Sequence, residues 1–436
     1  MKVGFVSLGC SKNLVDTEKT IELFKKHGYD IVSKPEEADI IVINTCGFIE
    51  SAKEEAINTI LEMADYKKEN CKYIIAMGCL VQRYRDELEK SLPEVDLFIK
   101  YDEYNTIWSQ IDSLINKDRV NNKEEVQFNS LRERVITTGD NYAYLKIADG
   151  CDNRCTFCAI PSIRGKFESR PMEDIIEEAK DLAKKGYKEI ILIAQDTTKY
   201  GLDIYGKPRL ADLLKKLCKI DGIKWIRFLY AYPETIDDKL IKVVKKNDKI
   251  CKYFDIPIQH ISDTVLKRMN RRSNSESIEV LIKKLRDKIP GVIIRTTIMV
   301  GFPGETQEDF DKLCTFVENT KFDRLGAFAY SKEEGTPASR LKEQVHPMTK
   351  KARYNKIMEI QQKVSKENLN KYIGKEVEVL VEEKTRDGKY YVCRSYMDVP
   401  DIDGVIYLKA SKELRSGDFV KCKIQSSINE YDLLGE

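Results

Sequence analysis

Three cysteines fall within one short stretch, Cys151-Asp-Asn-Arg-Cys155-Thr-Phe-Cys158, just after the apolar run Tyr142 to Ala148. Thiolates this close suit a cubane iron–sulfur cluster, in which each of four irons normally takes a cysteine, so that one iron is left open. An open iron can chelate a small molecule through an amine and a carboxylate. Zinc fits less well, because it favours four closed ligands in paired Cys-x2-Cys groups and no fourth cysteine or histidine lies nearby in sequence. Buried thiols beside a strand end are the plain alternative. A second set, Cys10, Cys46 and Cys79, is dispersed, yet each ends an apolar run and precedes a helix-periodic segment. Carboxyl ends of strands border the ligand crevice of an open parallel sheet. Three such thiols are expected to converge on one point and hold a second cluster, against the alternative of inert core cysteines. Cys71, Cys218, Cys251, Cys314, Cys393 and Cys422 share no pattern and read as small hydrophobes.

These residues need an α/β scaffold. Over residues 1–115, short β-branched runs (Val3 to Leu8, Ile40 to Asn44, Tyr73 to Met77) alternate with charged helical segments, the pattern of an open parallel α/β sheet domain. Residues 116–136 are polar and unpatterned and read as a linker. Alternation resumes over 137–368, with candidate strands at Tyr142–Ile147, Ile190–Ala194, Trp225–Leu229, Tyr253–Ile256, Val292–Met299 and Leu325–Tyr330. Six such units fit a partial (β/α)6 barrel, and the cysteine loop follows the first strand, on the face where barrel active sites gather. A charged helical segment leads into 369–436, where short alternating strands broken by Asp387-Gly388, Asp403-Gly404 and Ser416-Gly417-Asp418 predict a small antiparallel β-barrel of the OB type.

The formal net charge of the 436 residues is +2, which predicts no global attraction to nucleic acid or anionic membrane. No apolar stretch reaches the length of a membrane span, and the N-terminus reads as a strand rather than a signal peptide. Twelve cysteines in such a chain point to a reducing compartment, and the cytoplasm is expected.

Across essentially its full length the chain resembles the radical-S-adenosylmethionine (radical-SAM) methylthiotransferases, which combine an N-terminal three-cysteine domain, a radical-SAM barrel and a C-terminal TRAM barrel. Two branches share this order: one modifies an adenosine beside the tRNA anticodon, the other an aspartate of the twelfth small-subunit ribosomal protein. The strings Gly9-Cys10-Ser11-Lys12-Asn13-Leu14-Val15-Asp16, Asn44-Thr45-Cys46-Gly47-Phe48-Ile49, Cys155-Thr-Phe-Cys158-Ala-Ile-Pro161 with Arg164-Gly165-Lys166, Ala194-Gln195-Asp196-Thr197-Thr198 and Arg394-Ser395-Tyr396-Met397-Asp398 resemble the second branch. The tRNA branch typically has Gln-Met-Asn in place of Ser11-Lys12-Asn13.

The resemblance implies two [4Fe-4S] clusters, one on Cys10, Cys46 and Cys79 and one on Cys151, Cys155 and Cys158. One SAM gives its methyl to a sulfur at the first; a second SAM is cleaved at the other, and its radical takes a hydrogen from the target β-carbon. It also implies an electron donor such as flavodoxin or ferredoxin, a basic ribosomal protein as substrate, and no requirement for nucleic acid. For SAM it suggests Phe157 at the adenine, Gln195 and Asp196 at the amino group, Arg295 at the carboxylate, and Gly301 in the Gly301-Phe-Pro-Gly304 turn. Each has a plainer role open to it: loop packing for Phe157, a helix cap for Asp196, a structural acid as partner of Arg295, an ordinary β-to-α turn at Gly301. His260, after Gln259, reads as structural. Residues 371–436 carry eleven Lys/Arg against thirteen Asp/Glu, and Asp398, Asp401 and Asp403 share one loop, which suits a basic partner better than RNA. A tRNA adenosine methylthiotransferase and a non-catalytic iron–sulfur carrier are the competing functions.

Overall fold

The structure, a computed structural model, describes residues 1–116 and 125–436. The first domain runs β1 (Lys2–Ser7), α1 (Ser11–Lys26), β2 (Asp30–Val32), β3 (Ile40–Thr45), α2 (Glu50–Ala64), β4 (Tyr73–Gly78), α3 (Cys79–Ser91), β5 (Leu97–Ile99) and α4 (Ile107–Ile115). Its sheet has the order β2-β1-β3-β4-β5, and every pairing is parallel. Every residue of β3, Ile-Ile-Val-Ile-Asn-Thr, is buried, as expected of a central strand covered by helices on both faces. The alternating apolar runs of the sequence therefore form the sheet that they predict.

The stretch read as a linker spans 117–124, which lies outside the described residues, and a remainder that is fastened rather than free. Lys19 Nζ donates to the carbonyls of Phe128 and Asn129, both at 2.9 Å. Arg134 is buried between Glu18 of α1 and Glu178 of the next domain. A polar, unpatterned segment can pack when its charges are paired across two domains.

The barrel is built from β6 (Tyr142–Lys146), a small antiparallel pair β7 (Ala148–Asp149) and β8 (Glu168–Ser169), α5 (Ile160–Arg164), α6 (Met172–Lys184), β9 (Glu189–Ile193), α7 (Leu202–Tyr205), α8 (Leu210–Leu217), β10 (Trp225–Phe228), α9 (Asp238–Lys246), β11 (Tyr253–Gln259), α10 (Asp263–Arg268), α11 (Ser275–Lys288), β12 (Ile293–Val300), α12 (Gln307–Thr320) and β13 (Arg324–Ala329). The six long strands form two parallel sheets, β10-β9-β6 and β11-β12-β13, joined by a bridge between Ile226 and Ile250. Helix α13 (Pro347–Asn370) lies beside α12 and β13.

A closed five-stranded barrel follows: β14 (Glu376–Lys384), β15 (Tyr391–Ser395), β16 (Ile406–Leu408), β17 (Phe419–Ser427) and β18 (Leu433–Gly435). It is antiparallel except where β16 and β18 pair in parallel, and β18 is too short to carry a periodic signal of its own.

The loop after β15 corrects one expectation. Asp398, Asp401 and Asp403 do not form a free acidic face; they close the amino-terminal end of the large barrel. Arg324 Nη2 donates to Asp398 at 2.7 Å, Tyr142 to Asp401 at 2.8 Å and Tyr253 to Asp403 at 2.7 Å. Beside them Glu189, fully buried, accepts from Arg227 and from Arg394 of β15. Charges this deep need partners, and removing one member of such a pair typically costs about 3–5 kcal/mol. The acids are spent on joining two domains. No helix among the described residues is long and apolar enough to cross a membrane.

Candidate active site

The loop that carries Cys151, Cys155 and Cys158 leaves the barrel through the β7–β8 pair. Gly150, at φ +71°, permits this exit, since a Cβ there would lie 1.9 Å from the carbonyl oxygen of Lys166. Backbone bonds then pin the loop: Cys151 N to Gly165 O at 3.1 Å, and Thr156 N to Met269 O at 3.1 Å. The Sγ of Cys155 has Tyr232 Oη at 3.7 Å and Arg271 Nη1 at 3.8 Å. Burial, reinforced by the neighbouring Cys155 and Cys151, pushes the Cys158 thiol up to about 12. Three thiolates here therefore require a compensating metal charge, which deprotonates a coordinating thiol outright.

The dispersed triad is assembled by topology. Cys10 is the N-cap of α1, Cys79 opens α3, and Cys46 follows β3, which lies between β1 and β4. Gly9, at φ +87°, lets the first of these loops pass Cys46, because a Cβ at Gly9 would fall 2.7 Å from that of Cys46. Burial drives the Cys79 thiol up to about 11, with Cys10 and Cys46 adding to the rise and Arg164 opposing it. The three thiols act on one another at the carboxyl edge of the sheet, although among the described residues no three Cys, His, Asp or Glu side chains are placed to hold one single metal ion. A cubane asks less, because each thiolate binds a different iron. The all-sulfur donor sets, the cationic groups facing Cys155 and Cys79, and the helix N-termini at Cys10 and Cys79 suit a cluster that carries thiolate charge.

Arg164, in the short helix that follows Cys158, links the two sets. Its Nη2 lies 3.7 Å from Cys79 Sγ and donates to Asn13 Oδ1; its Nη1 donates to Asp16 at 2.6 Å and to Asp149 at 3.1 Å. Lys146 bridges the same two carboxylates at 2.6 and 2.8 Å. Burial alone would push the Asp149 carboxyl up, but Lys146 and Arg164 hold it well below the usual carboxylate range. Sequence reasoning assigned no role to Arg164, Asp149, Lys146 or Asp16. Arg164, Asn13 and Asp16 lie inside quoted strings, which was the available signal.

The residues expected at SAM divide. Gln195 donates through Nε2 to Asp149 at 2.8 Å, while its Oε1 is buried without a partner, an acceptor suited to an amine. Asp196 accepts from Asn153, Thr198 and the Lys199 amide, so it caps the Thr197–Lys199 turn. Phe157 is half-buried and packs edge-on against Phe302. Arg295 takes the structural acid: its Nη1 donates to Asp255 at 2.7 Å, towards the amino-terminal end of the barrel. Gly301 gives its amide to Glu305 Oε2 at 2.6 Å, and a Cβ on it would meet Lys350, which is the ordinary turn. His260 is fully buried and pushed down to about 4 by burial, a structural setting.

Comparisons with known proteins follow these lines. Residues 145–317 match the radical SAM superfamily, residues 2–100 the uncharacterized protein family UPF0004, and residues 373–436 the TRAM domain. The chain is 61% identical over its full length to the ribosomal protein uS12 methylthiotransferase RimO of Alkaliphilus oremlandii, covering 99% of that protein. It is 52% identical, again over its full length and 99% of the relative, to the protein of that name from a Thermoanaerobacter species. Among solved structures, the radical S-adenosylmethionine methyltransferase TsrM of Kitasatospora setae matches with a TM-score of 0.59 at 12% identity, over 77% of this chain and 76% of that one, a likeness of fold.

Proposed function

The chain belongs to the family of the ribosomal protein uS12 methylthiotransferases RimO, and on that footing we propose that it places a methylthio group on the β-carbon of an aspartate of uS12. Cys151, Cys155 and Cys158 would hold the radical-generating [4Fe-4S] cluster, and Cys10, Cys46 and Cys79 a second one. When bound, the first cluster supplies the electron that cleaves SAM to a 5′-deoxyadenosyl radical, and the second carries the sulfur to be transferred. An unactivated C–H bond offers no proton for a side-chain base, which is why this chain needs such chemistry.

The residues present can do the rest. Gln195 offers Oε1 to the SAM amino group, in an orientation fixed by its bond to Asp149. Arg271 and Tyr232 sit against the sulfur of Cys155 and stabilise its charge. Val15 of α1 packs with Tyr144, Ile191, Ile193 and Leu229 of the barrel, an apolar lining that keeps water from a reactive carbon. The observation that carries the two-cluster reading is Arg164 at Cys79, because it ties the loop of one triad to a member of the other.

A non-catalytic carrier has no use for a lined barrel closed at its base by a second domain. The test is anaerobic reconstitution with iron, sulfide, SAM and dithionite in place of a physiological donor such as flavodoxin or ferredoxin, presenting uS12 and an anticodon stem-loop in parallel. The expected product is uS12 with a methylthio group in place of one aspartate hydrogen. Modification of the RNA alone would select the other branch, and absence of 5′-deoxyadenosine would select the carrier.

A further inference from the structure

Lys12 is the second residue of α1 and lies two positions beyond Cys10. It is 7% exposed, a level at which an ammonium ordinarily needs an anionic partner. The other buried cations around it have theirs. Lys146 and Arg164 are shared between Asp16 and Asp149, two cations for two anions, and Lys19 is satisfied by two backbone carbonyls. Asp149 is further occupied by Tyr101 and Gln195. Among the described residues Lys12 forms no salt bridge with a carboxylate; its Nζ lies 3.4 Å from the centroid of the Tyr230 ring, and Cys10 and Asp149 act on its charge electrostatically.

Tyr230 follows β10 at the carboxyl end of the barrel and is held at φ +60°, a conformation that a bulky residue adopts only where its surroundings enforce it. The enforcement is visible. Its amide donates to Asp255 at 2.9 Å, and its carbonyl accepts from the amide of Thr197 at 3.2 Å. The ring packs against the apolar group of Val15, Tyr144, Ile193 and Leu229 that lines the barrel. A positive charge with no carboxylate of its own is thus set on an aromatic platform where α1, with Cys10 at its start, meets the mouth of the barrel.

We infer that Lys12 is the group that receives the carboxylate of the substrate side chain, and that it sets the preference for an acidic residue over a neutral one. This rests on the proposed reaction at an aspartate and adds the residue that would recognise it. In aspartate the β-carbon is bonded directly to the carboxylate carbon, so fixing the carboxylate on Lys12 also fixes the C–H bond to be broken. Hydrogen bonds to charged groups contribute about 1.5–3 kcal/mol, roughly a 10- to 100-fold preference.

The experiment compares wild type, Lys12→Met and Lys12→Arg, each fully reconstituted, on uS12 and on uS12 carrying asparagine at the target position. The readout is the ratio of kcat/KM for the two substrates on a single variant, which does not depend on how much cluster that variant carries. Wild type is expected to favour aspartate by about 10-fold or more. Lys12→Met should bring the ratio to within about 3-fold of one, mainly through a raised KM for the aspartate protein, and Lys12→Arg should restore a clear preference. A Lys12→Met enzyme that keeps the wild-type ratio overturns the inference, since Lys12 then serves the cluster or the fold alone. Equal use of both proteins by wild type overturns it as well. A wild type that modifies neither protein overturns the aspartate reading itself, and this inference with it.

Discussion

The guanidinium of Arg164 lies 3.7 Å from the sulfur of Cys79, although the two residues come from different domains. The same side chain carries an ion pair to Asp16 of α1 and another to Asp149 at the neck of the cysteine loop. The two cysteine sets are therefore coupled through this buried cation, with Lys146 bridging the same two carboxylates. Arg164→Gln should leave Lys146 as the one cation shared by Asp16 and Asp149 and cost about 3–5 kcal/mol, the usual result of breaking one side of a buried pair. Denaturant unfolding would measure the loss. Transfer to uS12 should fall further than reductive SAM cleavage, because cleavage needs only the nearer triad.

Gln195 has one amide atom committed to Asp149 and the other free. Gln195→Leu should weaken SAM binding about 10- to 100-fold by removing the acceptor for its amino group. Equilibrium dialysis of SAM against the reconstituted protein reads this directly. An unchanged affinity would mean that the amine is held elsewhere.

The acids after β15 belong to the fold. Asp398→Ala strips Arg324 of its nearer carboxylate partner, leaving Asp403 at 3.8 Å, in a setting where these side chains are nearly buried. The expected cost is about 3–5 kcal/mol, visible as a lowered unfolding midpoint. Because Asp398 is buried against Arg324 and does not face solvent, the affinity of the folded variant for uS12, and its dependence on salt, should match wild type.

The limits of the sequence reading have physical causes. The two cysteine sets as candidates, the six barrel strands and the parallel first sheet stood out because thiol spacing and apolar runs are local signals. The ion network was not, since Asp16 meets Lys146 across 130 positions and no local pattern records which buried charge meets which. The loop holding Asp398, Asp401 and Asp403 misled for the same reason: its composition is acidic, but its partners Arg324, Tyr142 and Tyr253 lie in another domain. Arg295 showed its need for an acid but not which one, and the strand register supplied Asp255. Strand β18 is three residues long and became visible only through pairing.

The account's central claim is that the dispersed cysteines of the first domain hold a cluster of their own. The direct test is iron content and product analysis of the variant with Cys10, Cys46 and Cys79 all changed to Ala. Wild type should bind about eight irons per chain after anaerobic reconstitution and the variant about half as many. The variant should still form 5′-deoxyadenosine from SAM and dithionite, yet transfer no methylthio group to uS12. A variant that kept the full iron content would make these cysteines structural and contradict the account.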